Sequence, residues 1–365
     1  MRRLAVILSI SLILAPVYGQ NHDLGSGTWS PQTSGTDVQL RGVSAVSYDV
    51  VWASGAKGTV LRTVDGGEHW EKVNVPDAEA LDFRDVQAFD EKTAFVLSIG
   101  PGEQSRIYKT VDGGKIWQPQ FTNKYPKAFY DCFAFWDSKH GIALSDSVGG
   151  KFPLIATSDG ANWKPVSVKT MPAALPSEGA FAASGTCIAT FGKKDVWFGT
   201  GGPAARVFHS ADRGVTWSVA ETPILHGQAS QGIFSVLFWS EQDGVIVGGD
   251  YKEASKSDKT AAFTHNGGKA WTLATKFPRG YRSGLVSLST ASPTSHLNLV
   301  AVGTSGSDYS IDDGADWISS LGCTPSSRAD DHDYNAVSCS TGKCWAVGPK
   351  GRIASFMPNI PAINH

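Results

Sequence analysis

The sequence lacks a strong charge imbalance, helical periodicity beyond its first residues, and the short motifs of common enzymes. Its 365 residues carry a formal net charge of -2, which gives no electrostatic reason to expect a nucleic acid or an anionic membrane as partner. It contains no HExxH, GxSxG or GxxxxGK[ST] pattern, so zinc-protease, α/β-hydrolase and P-loop chemistry have no support. Dinucleotide, haem and flavin signatures are missing too, and we expect no cofactor and no bound metal.

A long apolar run occurs once, at the N terminus. Arg2 and Arg3 precede an apolar stretch over 4–16, and cleavage before Gln20 would follow small residues. The stretch is shorter than the ~20 residues of an ordinary membrane span. The pattern therefore predicts a signal peptide over 1–19 and a secreted or periplasmic protein, with an uncleaved anchor as the alternative.

Cysteine is scarce, with five residues in the chain. Cys339 and Cys344 enclose the tight-turn sequence STGK, so we predict a disulfide across that hairpin. A zinc site is less favoured, because no second CxxC and no pair of histidines lies nearby. The pairing of Cys132, Cys187 and Cys323 is left open, with one thiol expected to remain unpaired.

Glycine and tryptophan, in contrast, are abundant. Forty glycines and twelve tryptophans indicate many tight turns and many large aromatic anchors. Hydrophobic residues make up 41% of the chain, enough for a sizeable core. Short β-rich runs such as DVVWAS (49–54) recur between turn residues, so the sequence predicts an all-β fold.

One pattern, Ser/Thr-x-Asp-x-Gly-x-x-Trp, recurs six times. The copies are TVDGGEHW (63–70), TVDGGKIW (110–117), TSDGANW (157–163), SADRGVTW (210–217), THNGGKAW (264–271) and SIDDGADW (310–317). Asn266 replaces the aspartate in the fifth copy, and the third is one residue short. The acidic side chain is expected to accept hydrogen bonds from its own turn, the glycine to take a positive φ, and the tryptophan to wedge between sheets.

The structural positions of this pattern are therefore predicted as follows. The turn-forming side chains are Asp65, Asp112, Asp159, Asp212, Asn266 and Asp312. The wedging side chains are Trp70, Trp117, Trp163, Trp217, Trp271 and Trp317. We refer to each copy as a box.

Each box follows three strand-like runs and opens a fourth, which is the composition of a propeller blade. A seventh unit over 334–356 has three runs but no box, and the N-terminal stretch GTWSPQ (27–32) offers the missing strand, with Trp29 in the box position. The sequence predicts one seven-bladed β-propeller over 24–358, closed by its two ends, and a flexible tail over 359–365. Six or eight blades are the alternatives.

The boxes resemble the Asp-box, or BNR, repeat of β-propellers. With the blade-seven runs CWAVG and GRIASF, the chain resembles the propeller family related to the photosystem II assembly and stability factor, and more distantly the sialidase-like Asp-box proteins. The first resemblance implies an exported, non-catalytic propeller that binds a partner protein. Some members carry the label oxidoreductase, for which this sequence has no fingerprint.

Candidate site residues begin the inner strands, on the face opposite the boxes. They are Arg41, Arg84, Asp85, Tyr130, Asp131, Arg282, His332 and Asp333. Arg41, Arg84 and Arg282 are expected to converge and hold an anion or a carboxylate. The alternative is that these charges pair across the channel mouth. Glu178 precedes the fourth inner strand, and the polar loop over 248–259 is a candidate flap.

Two other functions stay open. A glycoside hydrolase would draw on Asp131, Asp333 and Tyr334 as weak catalytic candidates, and three arginines with Tyr334 would imitate part of a sialidase site. A carbohydrate-binding protein would stack sugars on Tyr130, Tyr251 or Tyr281. The stretch ADDHD (329–333) is better explained as a solvated acidic loop than as a cation site. We expect a protein or glycan partner, no nucleic acid, and a monomer.

Overall fold

The computed structural model describes residues 28–288, 297–319 and 331–357. The predicted signal peptide, the predicted tail and Cys323 lie outside these residues. Regular structure in the described part consists of strands and two short 3-10 helices, Gly102–Gln104 and Tyr251–Glu253. Neither of these helices has the length or the apolar character needed to cross a membrane.

The described strands form seven antiparallel four-stranded sheets, the blades of a ring. The first strand, β1 (Ser30–Gln32), belongs to the last blade. Blade 1 consists of β2 (Leu40–Ala45), β3 (Val51–Gly55), β4 (Val60–Thr63) and β5 (Glu71–Lys72), and blade 2 of β6 (Asp82–Ala88), β7 (Ala94–Ile99), β8 (Arg106–Thr110) and β9 (Gln118–Thr122). Blade 3 consists of β10 (Tyr130–Asp137), β11 (His140–Ser145), β12 (Leu154–Thr157) and β13 (Trp163–Pro165).

The remaining blades repeat this order. Blade 4 consists of β14 (Ile188–Phe191), β15 (Asp195–Gly199), β16 (Arg206–Ser210) and β17 (Ser218–Glu221), and blade 5 of β18 (Gln231–Phe238), β19 (Gly244–Asp250), β20 (Ala261–Thr264) and β21 (Thr272–Leu273). Blade 6 consists of β22 (Gly284–Ser287), β23 (Leu299–Gly303), β24 (Gly306–Ser310) and β25 (Ile318–Ser319), and blade 7 of β26 (Ala336–Ser340), β27 (Lys343–Val347), β28 (Ile353–Phe356) and β1.

The ring is closed by its two ends. Strand β1 pairs antiparallel with β28, with Ser30 opposite Ser355. Trp29, just before β1, packs against Tyr334 and Phe356 at ring-centroid distances of 5.0 and 5.3 Å. The prediction of an all-β, seven-bladed propeller with shared terminal strands is confirmed. Such pairing removes two sheet edges that would otherwise offer unpaired backbone groups.

The antiparallel order gives the ring two distinct ends. The first strand of each blade is the innermost, and the boxes join the third strand to the fourth, at the same end as the turns between the first and second strands. We call this end the box face. The loops between second and third strands, and those between blades, lie at the opposite end, which we call the loop face.

The box turns are held by the same hydrogen bonds in successive blades. In blade 4, Asp212 Oδ1 accepts from the backbone N–H groups of Val215 and Thr216 at 3.0 and 2.8 Å, and from Ser210 Oγ at 2.8 Å. In blade 5, Asn266 Oδ1 accepts from Ala270 N and Thr264 Oγ1, both at 2.9 Å. An amide oxygen therefore does the work of the carboxylate in that turn.

Tryptophans fill the spaces between blades. Each of the seven spaces between neighbouring sheets contains a hydrophobic cluster with one tryptophan from the outer strand of the later blade. These residues are Trp70, Trp117, Trp163, Trp217, Trp271, Trp317 and Trp29. Most of them are buried, and burial of such a large ring is among the strongest contributions that one side chain makes to packing.

Two disulfides cross-link the described chain. Cys339 and Cys344 join β26 to β27 within blade 7, as the hairpin spacing suggested. The second joins Cys132 of β10 to Cys187, just before β14, and so links blade 3 to blade 4. Two of the three cysteines whose pairing the sequence left open are therefore partners.

Because Asn266 replaces the aspartate of the fifth box, we can predict how substitutions of the aspartate in another box affect stability. Replacing Asp212 by alanine removes the acceptor for two backbone N–H groups, so we expect the free energy of unfolding to fall by about 1 kcal/mol. Asp212→Asn keeps Oδ1 and should lose less than half as much. Urea denaturation of the three proteins measures both effects. Equal losses for the alanine and asparagine variants would contradict this account of the turn.

Candidate functional site

The inner strands of four blades begin with a β-bulge. In blade 1, Leu40 pairs with Gly55 and Gly42 with Ser54, so the residue between them has no cross-strand partner. The residues skipped in this way are Arg41, Arg84, Asp131 and Phe234. All four stand at the loop-face end of the central channel. Bulges change the direction of side chains and are common beside binding sites. We call the four skipped residues the bulge ring.

The two arginines of the bulge ring carry an excess of positive charge. Arg84 Nε donates to Asp82 Oδ2 at 2.9 Å, and its Nη1 donates to the carbonyl oxygen of Ala182 at 3.0 Å. Arg41 makes no ion pair with any described carboxylate; the amide oxygen of Gln39, once turned toward it, accepts from Nη2 at 2.8 Å. Burial first, and then the charge of Arg84, lower the pKa of Arg41. An anion bound here would relieve that repulsion.

The acidic side of the mouth is a pair of carboxyl groups. Burial, followed by the nearby charge of Asp146, raises the pKa of Asp131 well above its ordinary range. Asp131 Oδ2 is buried without a hydrogen-bond partner among the described residues. Burial also raises the pKa of Asp146 to about 6, although its Oδ1 accepts from Ala180 N at 2.9 Å. Asp146 lies in a loop over 144–152 that the sequence suggested as a candidate, but no pattern singled out this residue.

Asp85 is a third buried acid of the channel. Its Oδ2 accepts from Phe133 N at 2.8 Å, and burial raises its pKa well above the ordinary range. On its other side the carboxyl lies against Gly185, where a Cβ atom would come within 2.3 Å of Oδ1. Asp85 therefore ties blade 2 to blade 3 and is not directed at solvent.

An aromatic cluster stands across the mouth from blade 2. Phe234 stacks on Phe181 with ring centroids 3.8 Å apart and meets the edge of Tyr281 at 4.7 Å. Tyr251 adds a half-exposed ring 6.2 Å from Phe234. Burial raises the pKa of Tyr281, against the opposing effect of Arg41, so its hydroxyl remains protonated. Phe181 and Phe234 were missed by the sequence analysis.

The expected convergence of Arg282 with Arg41 and Arg84 is wrong. Arg282 is fully buried, and its Nε donates to Asp308 Oδ2 at 2.8 Å and its Nη1 to Ser305 Oγ at 2.9 Å. In blade 6 it occupies the place that Leu40 has in blade 1, facing the last glycine of the second strand. Arg282 therefore lies one position before the place of a bulge-ring residue, and its side chain points between blades.

Tyr334 in blade 7 and Tyr130 in blade 3 occupy the position that Leu40 has in blade 1 and Arg282 has in blade 6. Both tyrosines are buried. Tyr334 packs against Trp29, so it is not available as a catalytic group. Without Tyr334 and Arg282, the part of a sialidase site suggested by the sequence is not formed. Tyr130 contacts Phe121, with ring centroids 5.3 Å apart, and lines the loop-face end of a groove that is separate from the channel mouth.

His332 and Asp333 begin blade 7. Their side chains are about half exposed and interact with each other, with His332 Nδ1 2.8 Å from Asp333 Oδ2. Asp333 lines a polar pocket beside β1 and β28, which separates it from the arginines of the mouth. The catalytic use of Asp131 with Asp333 therefore has no geometric support.

Glu178 and the loop over 248–259 are both tied down. Glu178 is 2% exposed and pairs with Arg206, whose Nε lies 2.8 Å from its Oε1. In the loop, Asp250 Oδ1 accepts from Lys252 N at 2.9 Å, and Ser257 Oγ donates to the Pro278 carbonyl oxygen at 2.7 Å. The loop borders the mouth through Tyr251 and is anchored at both ends.

One group of possible metal ligands occurs in the described residues. Ligand atoms of Asp65, Glu68 and His69 lie within 4.8 Å of one another, but all three residues are exposed on a box turn. Asp65 Oδ1 already accepts from His69 N at 3.0 Å and from Thr63 Oγ1 at 2.7 Å. The cluster is explained by the turn.

These features define the class of the protein: a seven-bladed β-propeller with a polar and aromatic channel mouth on its loop face. No protein-family model matches the chain, and no curated protein matches it. Among solved structures, the fold is similar to YCF48 bound to a D1 peptide, with a TM-score of 0.60, 13% sequence identity, and coverage of 93% of this chain and 100% of that one.

Two further structures show how widely this fold is used. The WD40 propeller domain of Doa1 matches with a TM-score of 0.58 and 12% identity over 91% of this chain and 97% of that one. Virginiamycin B lyase from Staphylococcus aureus matches with a TM-score of 0.61 and 10% identity over 91% of this chain and 99% of that one. At such identities the likeness concerns the fold alone, because one fold hosts many functions.

The raised pKa of Asp146 predicts a pH-dependent stability. A carboxyl group whose pKa is higher in the folded than in the unfolded state stabilises the fold when protonated. That stability is complete below about pH 4 and is lost as pH rises through about 6, by about 1–3 kcal/mol. Asp146→Asn mimics the protonated group and should flatten the decline.

Urea denaturation of both proteins at several pH values between 4.5 and 7.5 measures this difference. The asparagine variant should be the more stable protein at pH 7.5, and the difference between the two should shrink toward pH 4.5. Parallel pH profiles would show that Asp146 is already solvated in the fold.

Proposed function

We propose that this protein is a non-catalytic binding module that engages a partner protein through its loop face, with Arg41 and Arg84 receiving a carboxylate. The observation that carries the proposal is the charge of the bulge ring. Asp82 pairs with Arg84, whereas the neighbouring Arg41 has no ion pair among the described residues. A partly buried cation of this kind gains most from a charged ligand.

The aromatic cluster supports the same conclusion. Tyr251 presents an exposed ring beside the mouth, backed by the stacked pair of Phe181 and Phe234. Aromatic and arginine side chains are the residue types that contribute most at protein interfaces. The likeness to YCF48 with a bound D1 peptide and to a WD40 domain fits this proposal. The proposal also includes assignment to the Asp-box family, export to the periplasm or the cell exterior, and a monomeric state.

Glycoside hydrolysis is supported less well. The remaining carboxyl pair is Asp131 with Asp146, and Asp131 is 2% exposed. A catalytic pair must flank a substrate with room for a sugar and a water molecule between its oxygens. Binding of a glycan on Tyr251 is the better of the two alternatives, because that ring is exposed.

Peptide binding tests the proposal. An array of decapeptides is probed with the purified protein. Each peptide is present with a free C-terminal carboxylate and with a C-terminal amide. Each is also present with acidic side chains and with the corresponding amide side chains. Arg41→Gln combined with Arg84→Gln should weaken binding of the carboxylate-bearing peptides about 10- to 100-fold, since each lost charged hydrogen bond costs about 1.5–3 kcal/mol.

The matched control is Arg62→Gln with Arg213→Gln, two arginines near the box turns. It should bind like the unchanged protein. Equal binding by the Arg41/Arg84 variant would place the partner elsewhere. Hydrolysis of a fluorogenic glycoside panel that disappears with Asp131→Asn would overturn the non-catalytic proposal.

A further inference from the structure

A large groove runs along the outer edge of blade 3, away from the channel mouth. It starts at the loop face and reaches the box turn of blade 4, where Lys169 N donates to the Val215 carbonyl oxygen at 2.8 Å. Its volume is about 1310 Å³. At one end it is lined by Phe121 and Tyr130, which belong to the hydrophobic cluster between blades 2 and 3. At the other end it is lined by Met171 and Trp217, which belong to the cluster between blades 3 and 4. We call it the blade 3 groove, and no residue of the bulge ring lines it.

The groove offers apolar surface that the fold leaves uncovered. Tyr125 at its rim is 50% exposed, and Val166, Val168 and Met171 in its wall are only partly buried. These side chains contact the blade 3–4 cluster with one side and line the groove with the other. Exposed apolar surface that is contiguous and rimmed by polar groups is characteristic of interaction sites.

The charges that line the groove have one sign. Lys124, Lys151 and Lys169 are exposed at its rim, and its lining contains no aspartate or glutamate. Lys124 Nζ also reaches Glu103 Oε1 outside the groove at 2.6 Å. Tyr130 lines the groove as a protonated phenol, because burial raises its pKa to about 12. The charged groups of the lining are therefore all cations, which complement carboxylates.

The segment over 173–178, which follows the groove residues Met171 and Pro172, is held in place by buried interactions. Ala174 N donates to the Gly150 carbonyl oxygen at 2.9 Å, and Leu175 N donates to Glu178 Oε2 at 2.8 Å. Arg206, paired with Glu178, donates from Nη2 to the Ala173 carbonyl oxygen at 2.9 Å. The Cys132–Cys187 disulfide links the two blades beneath. A groove fixed in this way orders few residues on binding.

We propose that the blade 3 groove binds a peptide segment of another protein that combines apolar side chains with acidic ones. The volume exceeds the roughly 300–1,000 Å³ of ordinary small-molecule pockets, and the apolar surface is continuous between two blade clusters. The three lysines select carboxylates, and the apolar wall distinguishes such a segment from a merely acidic one. This site uses other residues than the proposed partner site at the channel mouth and stands without it.

Fluorescence anisotropy with the full mature chain tests the site. The probes are three fluorescein-labelled, C-terminally amidated decapeptides: one with leucine, phenylalanine and three aspartates, one with lysines replacing the aspartates, and one with serines replacing the apolar residues. The first should bind, and the other two at least tenfold more weakly. Lys124→Glu, Lys151→Glu and Lys169→Glu together should weaken the first probe at least tenfold and favour the lysine peptide.

Lys115→Glu, Lys139→Glu and Lys269→Glu make the matched control, because these lysines are exposed at the box face. This variant should bind the first probe unchanged, as should the Arg41→Gln, Arg84→Gln protein. Met171→Ala adds an uncharged test and should weaken binding about threefold or more. Near-ultraviolet circular dichroism establishes that each variant is folded.

Equal affinity of the two lysine variants for the acidic apolar peptide would overturn the proposal. So would binding of the serine-substituted peptide as tightly as the apolar one, or loss of binding in the arginine variant alone. Binding of a fluorescently labelled fatty acid, without measurable binding of any peptide, would show that the groove takes a fatty acid, and it too would overturn the proposal.

Discussion

The ring depends on the packing of the tryptophan that begins each outer strand between two neighbouring blades. A four-stranded sheet buries neither face by itself, so every blade must pack against two others. The box turn fixes where the outer strand starts and hence where its tryptophan points, as Trp217 does into the cluster of blades 3 and 4. The hydrogen bonds of the box are modest individually, but they set the position of a much larger buried surface.

Because the boxes hold the ring together, the residues of the loop face can differ from blade to blade. The box face is committed to turns that repeat around the ring, whereas the start of each inner strand tolerates an extra residue. The bulges at Arg41, Arg84, Asp131 and Phe234 use that tolerance. They bring two cations, one acid and one aromatic ring from four blades to a single mouth. The chemistry of the mouth is therefore set by residues that lie outside the repeated box pattern.

The architecture could be predicted from the sequence because the box pattern occurs six times, so each copy supports the strand assignments made in the others. The position of Arg282 could not be predicted in the same way, since a strand alternates its faces and an error of one residue reverses a side chain. Aligning Gly284 with Gly42 would have matched Arg282 with the buried Leu40. The pairs Asp131–Asp146 and Cys132–Cys187 join neighbouring loops or blades, and no local pattern indicates which loops meet.

The closure of blade 7 explains why that blade has no box. In the other blades the box joins the third strand to the fourth, and in blade 7 these strands are β28 and β1, the last and the first of the described chain. The described chain therefore enters and leaves the ring where a box turn would stand. A tether joined directly to the start of β1 or to the end of β28 would begin on that side. A surface attached there by a short tether would face the boxes and would leave the loop face, with its channel mouth, pointing outward.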